Sequence, residues 1–196
     1  MKYALSSVAA ASALILAFGH SADGQSSIVS DALDVDADAK SAEARGAQEL
    51  GWEDLLPEGE EERLMALYQS QWETLYSTPI AEGSAGDKAV QIGTYNVVDT
   101  LDGVKVRLPG YTVPFEFGVN AEITDFLLVP YFGACLHQPP PPPNQTVYVT
   151  TDSPVKLKDL AQAVWVEGVL STDSQETELA GAAYTITLTK LTEYEY

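Results

Sequence analysis

The chain has 196 residues, 45% of them hydrophobic, with 29 acidic against 10 basic side chains and a formal net charge of −19. That length supports one domain with a sizeable core, and the acid excess excludes phosphate backbones and anionic membrane surfaces as natural partners. A single cysteine rules out an internal disulfide, so stability has to come from packing.

Residues 1–24 read as a secretory signal. Lys2 gives a minimal positive start, residues 5–18 form an Ala-rich apolar segment too short to span a bilayer comfortably, and Ala22 and Gly24 supply small residues for cleavage. No cysteine stands near that point to carry a lipid, and no later segment is long and apolar enough for a transmembrane helix. The expectation is a periplasmic protein without a lipid anchor. Residues 25–50 carry Asp31, Asp34, Asp36, Asp38 and Glu43 among small side chains. Their alternation lacks the glycine and the terminal glutamate of a calcium loop, which leaves an acidic disordered tether. A single exported domain is then expected over residues 51–196.

Within that domain the apolar residues Leu64, Leu67, Tyr68, Trp72, Leu75 and Tyr76 recur at three and four, predicting an amphipathic helix over 60–76 whose stripe packs on the domain. Glu60, Glu61 and Glu62 fall in its first turn, where the helix dipole favours negative charge. A Gly/Ser/Pro-rich linker follows. From about residue 89 the period becomes strand-like. Val104, Val106 and Leu108 alternate with Lys105 and Arg107 after an Asp102-Gly103 turn, and Pro114 marks an edge or a strand end. Residues 126–131 are apolar throughout, as in a strand buried on both faces. V-W-V-E-G-V-L (164–170) and A-Y-T-I-T-L-T-K-L (183–191) are the clearest strands, and Gly168 inside the first predicts a bulge or sharp bend. Together these predict an α+β fold: a small antiparallel β-barrel of the oligonucleotide/oligosaccharide-binding (OB) type, or a sandwich, preceded by the amphipathic helix.

One stretch, residues 125–149, is unlike an ordinary strand and loop. It holds the sole cysteine, one of the two histidines and five consecutive prolines. If the chain is extended there, Cys135 and His137 share a face and lie a few ångströms apart. A thiolate and an imidazole so placed can share zinc or copper, with carboxylates such as Glu116, Glu122 or Asp125 completing the site, or can act as nucleophile and base in a thiol-dependent enzyme. The alternative is a buried cysteine with no chemistry. Pro139, Pro140, Pro141, Pro142 and Pro143 can scarcely adopt anything but a stiff polyproline II rod. That rod is either a recognition edge for a partner's aromatic groove or a strut packed on the chain's own Tyr131, Phe132, Tyr148 and Trp165. Asn144-Gln145-Thr146 fits a glycosylation sequon.

The stretch E-I-T-D-F-L-L-V-P-Y-F-G-A-C-L-H-Q-P-P-P-P-P-N-Q-T-V-Y-V resembles the core of a bacterial exported family known as a domain of unknown function, number 3299. W-E-D-L-L-P, V-R-L-P-G-Y-T-V-P-F, V-W-V-E-G-V-L and A-A-Y-T-I-T-L-T-K-L are similar to its flanking motifs, so the resemblance spans residues 52–193. It implies export, and a link for some members to macrolide-exporter-type ABC transporters in operons concerned with zinc; it implies no catalytic residue. Many members are lipid-anchored, which this chain's lack of a suitable cysteine puts in doubt. The expected function is therefore a non-enzymatic periplasmic accessory protein. Its motif, comprising Tyr131, Phe132, Gly133, the five prolines, Asn144 and Gln145, would meet an envelope partner such as an ABC-transporter component. Metal binding through Cys135 and His137, and thiol catalysis by Cys135, are the alternatives.

Overall fold

The computed structural model describes residues 40–77, 90–116, 122–135, 138–157, 159 and 161–195. The expected signal peptide, most of the expected tether, nearly all of the linker, and His137 lie outside these. Eight strands are described: β1 (Gln48–Glu49), β2 (Lys105–Pro114), β3 (Glu122–Val129), β4 (Val147–Lys156), β5 (Val164–Ser171), β6 (Gln175–Glu176), β7 (Gly181–Ala182) and β8 (Tyr184–Glu193). Helix α1 covers Glu60–Ser77.

Five of the strands close into a barrel in the order β2-β3-β4-β8-β5 and back to β2. Closure depends on β2 serving both sides. Its first half, Lys105 to Gly110, pairs with β5, and its second half, Tyr111 to Pro114, pairs with β3. Pro114, which has no N–H to give a ladder, is its last residue. The fold is thus the barrel and not the sandwich, and it is not wholly antiparallel, because β4 and β8 run parallel. The strand glycine does what its position predicts. The β5–β8 register shifts between Glu167 and Gly168, and a Cβ at Gly168 would lie 2.3 Å from the Thr187 carbonyl oxygen, so only glycine allows that approach.

Alternation sorts the side chains. Val106, Leu108, Phe126, Leu128, Val147, Val149, Val166, Leu170 and Ile186 fill the barrel, each buried side chain of this size contributing about 1.5–3 kcal/mol relative to exposure. The apolar run in β3 has a second destination. Leu127 and Val129 point outward and are fully buried in a separate cluster with Val113, Ala134, Ala180 and Ala182. A strand buried on both faces needs no alternation, which is why residues 126–129 show none.

Two expectations change. The chain is already part of the fold from residue 40, well before residue 51. Ala42, Ala47 and Leu50 are buried, β1 pairs with β2, and Arg45 donates to the Glu167 carboxylate at 2.7–3.2 Å. The acidic composition hid these few anchoring contacts. Helix α1 forms where its periodicity places it, but the stripe is not uniformly packed: Leu64 is buried, Leu67 and Tyr68 are half-buried, and Trp72 is 59% exposed. Among the described residues no helix is long and apolar enough to cross a membrane.

Candidate functional site

The loop between β3 and β4, residues 130–146, is the candidate site, and its first half is a tight turn. Gly133 (φ 86°) and Cys135 (φ 64°) both take left-handed backbone, and Gln138 N–H donates to the Gly133 carbonyl at 3.1 Å. A non-glycine residue there is uncommon. Cys135 itself is therefore not in extended backbone, and its expected partner His137 lies outside the described residues. Ala134 is fully buried and Cys135 is half-buried against the outward row of β2, β3 and β4. Burial pushes the Cys135 thiol up to about 11, the opposite of what activates a nucleophile. The nearby acids are engaged elsewhere: Glu122 pairs with Lys156 at 3.6 Å, and Asp125 accepts from Tyr148 and Thr124 at 2.8 Å each. Burial raises Asp125, but the hydrogen bonds from Thr124, Tyr148 and Thr150 outweigh it and hold the carboxyl below its ordinary range. Among the described residues no three potential metal ligands converge.

The second half of the loop is a strut. Pro140, Pro141, Pro142, Pro143 and Asn144 are all buried. Prolines bring carbonyls without donors, so other segments supply the donors. The Pro139 carbonyl accepts from the Tyr131 hydroxyl (3.0 Å), Pro141 from Gln91 Nε2 (2.7 Å), Pro142 from Gln145 N–H (2.8 Å), and Pro143 from Ala183 N–H (2.8 Å). Gln91 also holds both backbone groups of Gly181 at 2.8 Å, clamping the rod to β7. Gly93 lets the rod lie against the backbone, since a Cβ there would come within 2.6 Å of Pro142 Cβ. The rod is thus a self-packed element and not a displayed edge, and of the four expected aromatic supports Tyr131 is seen to bond it. Tyr148 lies beside Phe115, with ring centroids 5.9 Å apart, while Trp165 sits under Arg107 and beside Tyr194.

At its far end the rod enters a polar lock that the sequence did not announce. Glu60, the first residue of α1, is 2% exposed. Its carboxylate accepts from Thr94 Oγ1, from Asn96 Nδ2 at 2.9 Å and from Asn144 Nδ2 at 3.2 Å, with Arg63 at 3.5 Å. Burial raises its pKa, yet these donors together bring it below the ordinary value. The lock ties α1, the segment around residues 94–96 and the motif into one body. Gln145 adds a bond to the Trp52 carbonyl at 2.8 Å. Asn144 is fully buried and committed to Glu60, so the sequon is inaccessible in the folded protein. The sequence signal for Glu60 was visible only as a first-turn acid; Gln91, Gly93, Thr94 and Asn96 carried none, because their role depends on neighbours about 50 residues away.

Besides Gln138 and Pro139, the loop leaves two aromatics exposed. Phe132 is 53% and Tyr131 38% exposed, and the Phe132 ring rests on Tyr111 with centroids 5.9 Å apart. Phe115, Tyr148 and Asp125 continue this rim along the outer face of β2, β3 and β4. OB-type barrels use the outer face of their second and third strands, here β3 and β4, for oligonucleotides and oligosaccharides. In this protein Ala134, Cys135, Ala180 and Ala182 roof much of it. The arrangement can grip an apolar side chain at the rim.

A protein family described as protein of unknown function (DUF3299) matches residues 52–193. A solved structure, the crystal structure of a DUF3299 family protein from Pseudomonas aeruginosa PAO1, is 38% identical over 76% of this chain and 97% of that chain, with a TM-score of 0.57. No curated protein matches the chain.

Proposed function

Since the chain belongs to the DUF3299 family, whose description assigns no activity, we propose from its own geometry that it is a non-enzymatic, exported accessory protein of the periplasm that binds an envelope partner. The observation that carries this reading is the contrast within one loop. Pro140 to Asn144 are buried and Ala134 is fully buried, yet the adjoining Tyr131 and Phe132 stand out at 38% and 53% exposure. A rigid loop that spends its polar groups on its own support, and leaves two large aromatics in water, has the form of an interaction anchor. The partner's binding site would be the rim of the loop and not the proline rod. A periplasmic part of an ABC transporter is the partner class that the family resemblance favours. Cys135 supports the non-enzymatic reading, since its thiol is raised by burial.

The test is capture from envelope extracts with tagged protein. The wild type should retain a stoichiometric partner, and Tyr131→Ala with Phe132→Ala should lose it while keeping the wild-type melting transition. Recovery of no partner, or equal recovery by the double variant, would overturn the reading.

A further inference from the structure

The barrel closes on a short seam. β4 and β8 run parallel for four residue pairs, Val147–Thr150 against Tyr184–Thr187. Beyond them the two strands follow different neighbours. Val155 and Lys156 pair with Ile123 and Glu122 of β3, while Leu188 and Leu191 pair with Gly168 and Val166 of β5. The strands therefore part, and a cleft of about 510 Å³ opens between them, lined by β4 between Thr151 and Lys156 and by β8 between Thr187 and Leu191. That volume falls within the roughly 300–1,000 Å³ of ligand sites.

The floor of the cleft is apolar. Leu188 belongs to the buried barrel interior, and Val155 and Leu191 pack against that interior partly exposed. The polar rim is spent within the chain. Thr151 Oγ1 donates to the Ser153 carbonyl at 3.1 Å and accepts from Ser153 N–H at 3.2 Å. Thr189 Oγ1 donates to the Glu167 carbonyl at 2.9 Å, Lys156 faces Glu122 at 3.6 Å, and Lys190 has a partner of its own. A phosphate or a sugar would have to displace these contacts before it could use the donors. What the cleft offers without rearrangement is hydrocarbon and the side of a strand. Thr151 satisfies both backbone groups of Ser153 on the β4 wall, so pairing falls to the β8 wall.

We infer that the β4–β8 cleft is a second binding site, independent of the aromatic rim, that seats an extended and uncharged segment of a partner polypeptide. The segment pairs main chain to main chain with β8 along Leu188, Thr189 and Leu191, and sets an apolar side chain on Val155, Leu188 and Leu191. Its length follows from the wall, since four residues of strand span about 13 Å. Its neutrality follows from Asp152 and Lys156, opposite charges that line the same cleft.

The experiment titrates the full chain, isotope-labelled, with a capped Thr-Val-Thr-Val-Thr peptide and follows backbone amide shifts by NMR. The shifts should saturate at millimolar peptide and centre on the stretches Thr151 to Lys156 and Thr187 to Leu191. Two further peptides, N-methylated at the Val amides or at the Thr amides, block opposite edges of an extended chain. One of them should bind about tenfold more weakly or worse, and the other close to the parent. In the free chain at least one amide among Leu188, Thr189 and Leu191 should exchange with solvent faster than that of Ile186, and the parent peptide should slow it. The inference is overturned by shifts that do not saturate, by shifts centred on Tyr131 and Phe132, or by equal binding of the two methylated peptides. It also falls if all three amides of the free chain exchange as slowly as Ile186. Concentration-dependent shifts at the same amides without peptide would overturn it in favour of a second copy.

Discussion

Removing the Glu60 carboxylate should be the most informative single change in this protein. Glu60→Ala leaves Thr94 Oγ1, Asn96 Nδ2 and Asn144 Nδ2 without their shared acceptor in a site that is 2% exposed. Asn144 is the worst placed, because its Oδ1 already has no hydrogen-bond partner among the described residues. A hydrogen bond to a charged group contributes about 1.5–3 kcal/mol, and a buried neutral donor left without an acceptor costs about 1–3 kcal/mol. Thr94 and Asn96 lie beside residues that are partly exposed and can turn to water, so a net loss of about 3 kcal/mol is expected. For a domain of this size that is a fall in Tm of roughly 6–12 °C. Glu60→Gln should lose less: its carbonyl still accepts from Thr94 and Asn144, while its NH₂ opposes that of Asn96. The sign of the pH dependence follows from the lowered folded pKa of Glu60. Its contribution is present above the unfolded value of 4.5 and is lost as pH falls through the lower folded value. Urea unfolding of wild type and Glu60→Ala at about pH 7 and about pH 3 measures this directly. The gap between the two proteins should be wide at neutral pH and narrower in acid, which removes the contribution of other carboxylates from the comparison. A neutral-pH gap below about 1 kcal/mol, or one that does not narrow in acid, would refute the assignment of Glu60 as the lock.

Three further outcomes are expected. Arg45→Ala should cost about 1–2 kcal/mol in urea unfolding, since Glu167 stays buried with Lys105 at 3.5 Å and Arg45 is itself partly in water; no change would return residues 40–50 to the status of a tether. Alkylation of Cys135 at about pH 8 should run roughly a hundredfold slower in the folded protein than in urea, because burial moves the thiol from 9.0 to about 11, and its rate should still be rising above about pH 9. Expressed in a host that glycosylates Asn-x-Thr sites, the folded fraction should carry unmodified Asn144 by mass spectrometry, since the side chain is fully buried; a glycan on well-folded protein would show that the motif opens.

Much of the barrel was legible because strand signals are local. Pro114 at the end of β2, the unbroken apolar run of β3 and the glycine of β5 each report a backbone condition that one residue type satisfies. The candidate site was legible as a location but not as a mechanism. Polyproline stiffness follows from covalent structure alone, whereas whether such a rod is shown to solvent or sunk into the domain depends on what lies across from it. Gln91, Gly93 and Ala183 lie there, and nothing in residues 139–143 names them. The Cys-x-His spacing carries a condition of the same kind: it fixes a shared face only in extended chain, Cys135 sits at φ 64°, and His137 lies outside the described residues.

Sequence alone determined the segments that had to be helix or strand, the stiffness of the proline run and the acid balance, because these follow from side-chain geometry, apolar period and total charge. Tertiary structure alone decided that the prolines are interior, that Glu60 joins helix to motif and that Tyr131, Phe132 and Trp72 are left in water. Burial and polar satisfaction are properties of neighbours brought together from distant parts of the chain, and no local window contains them.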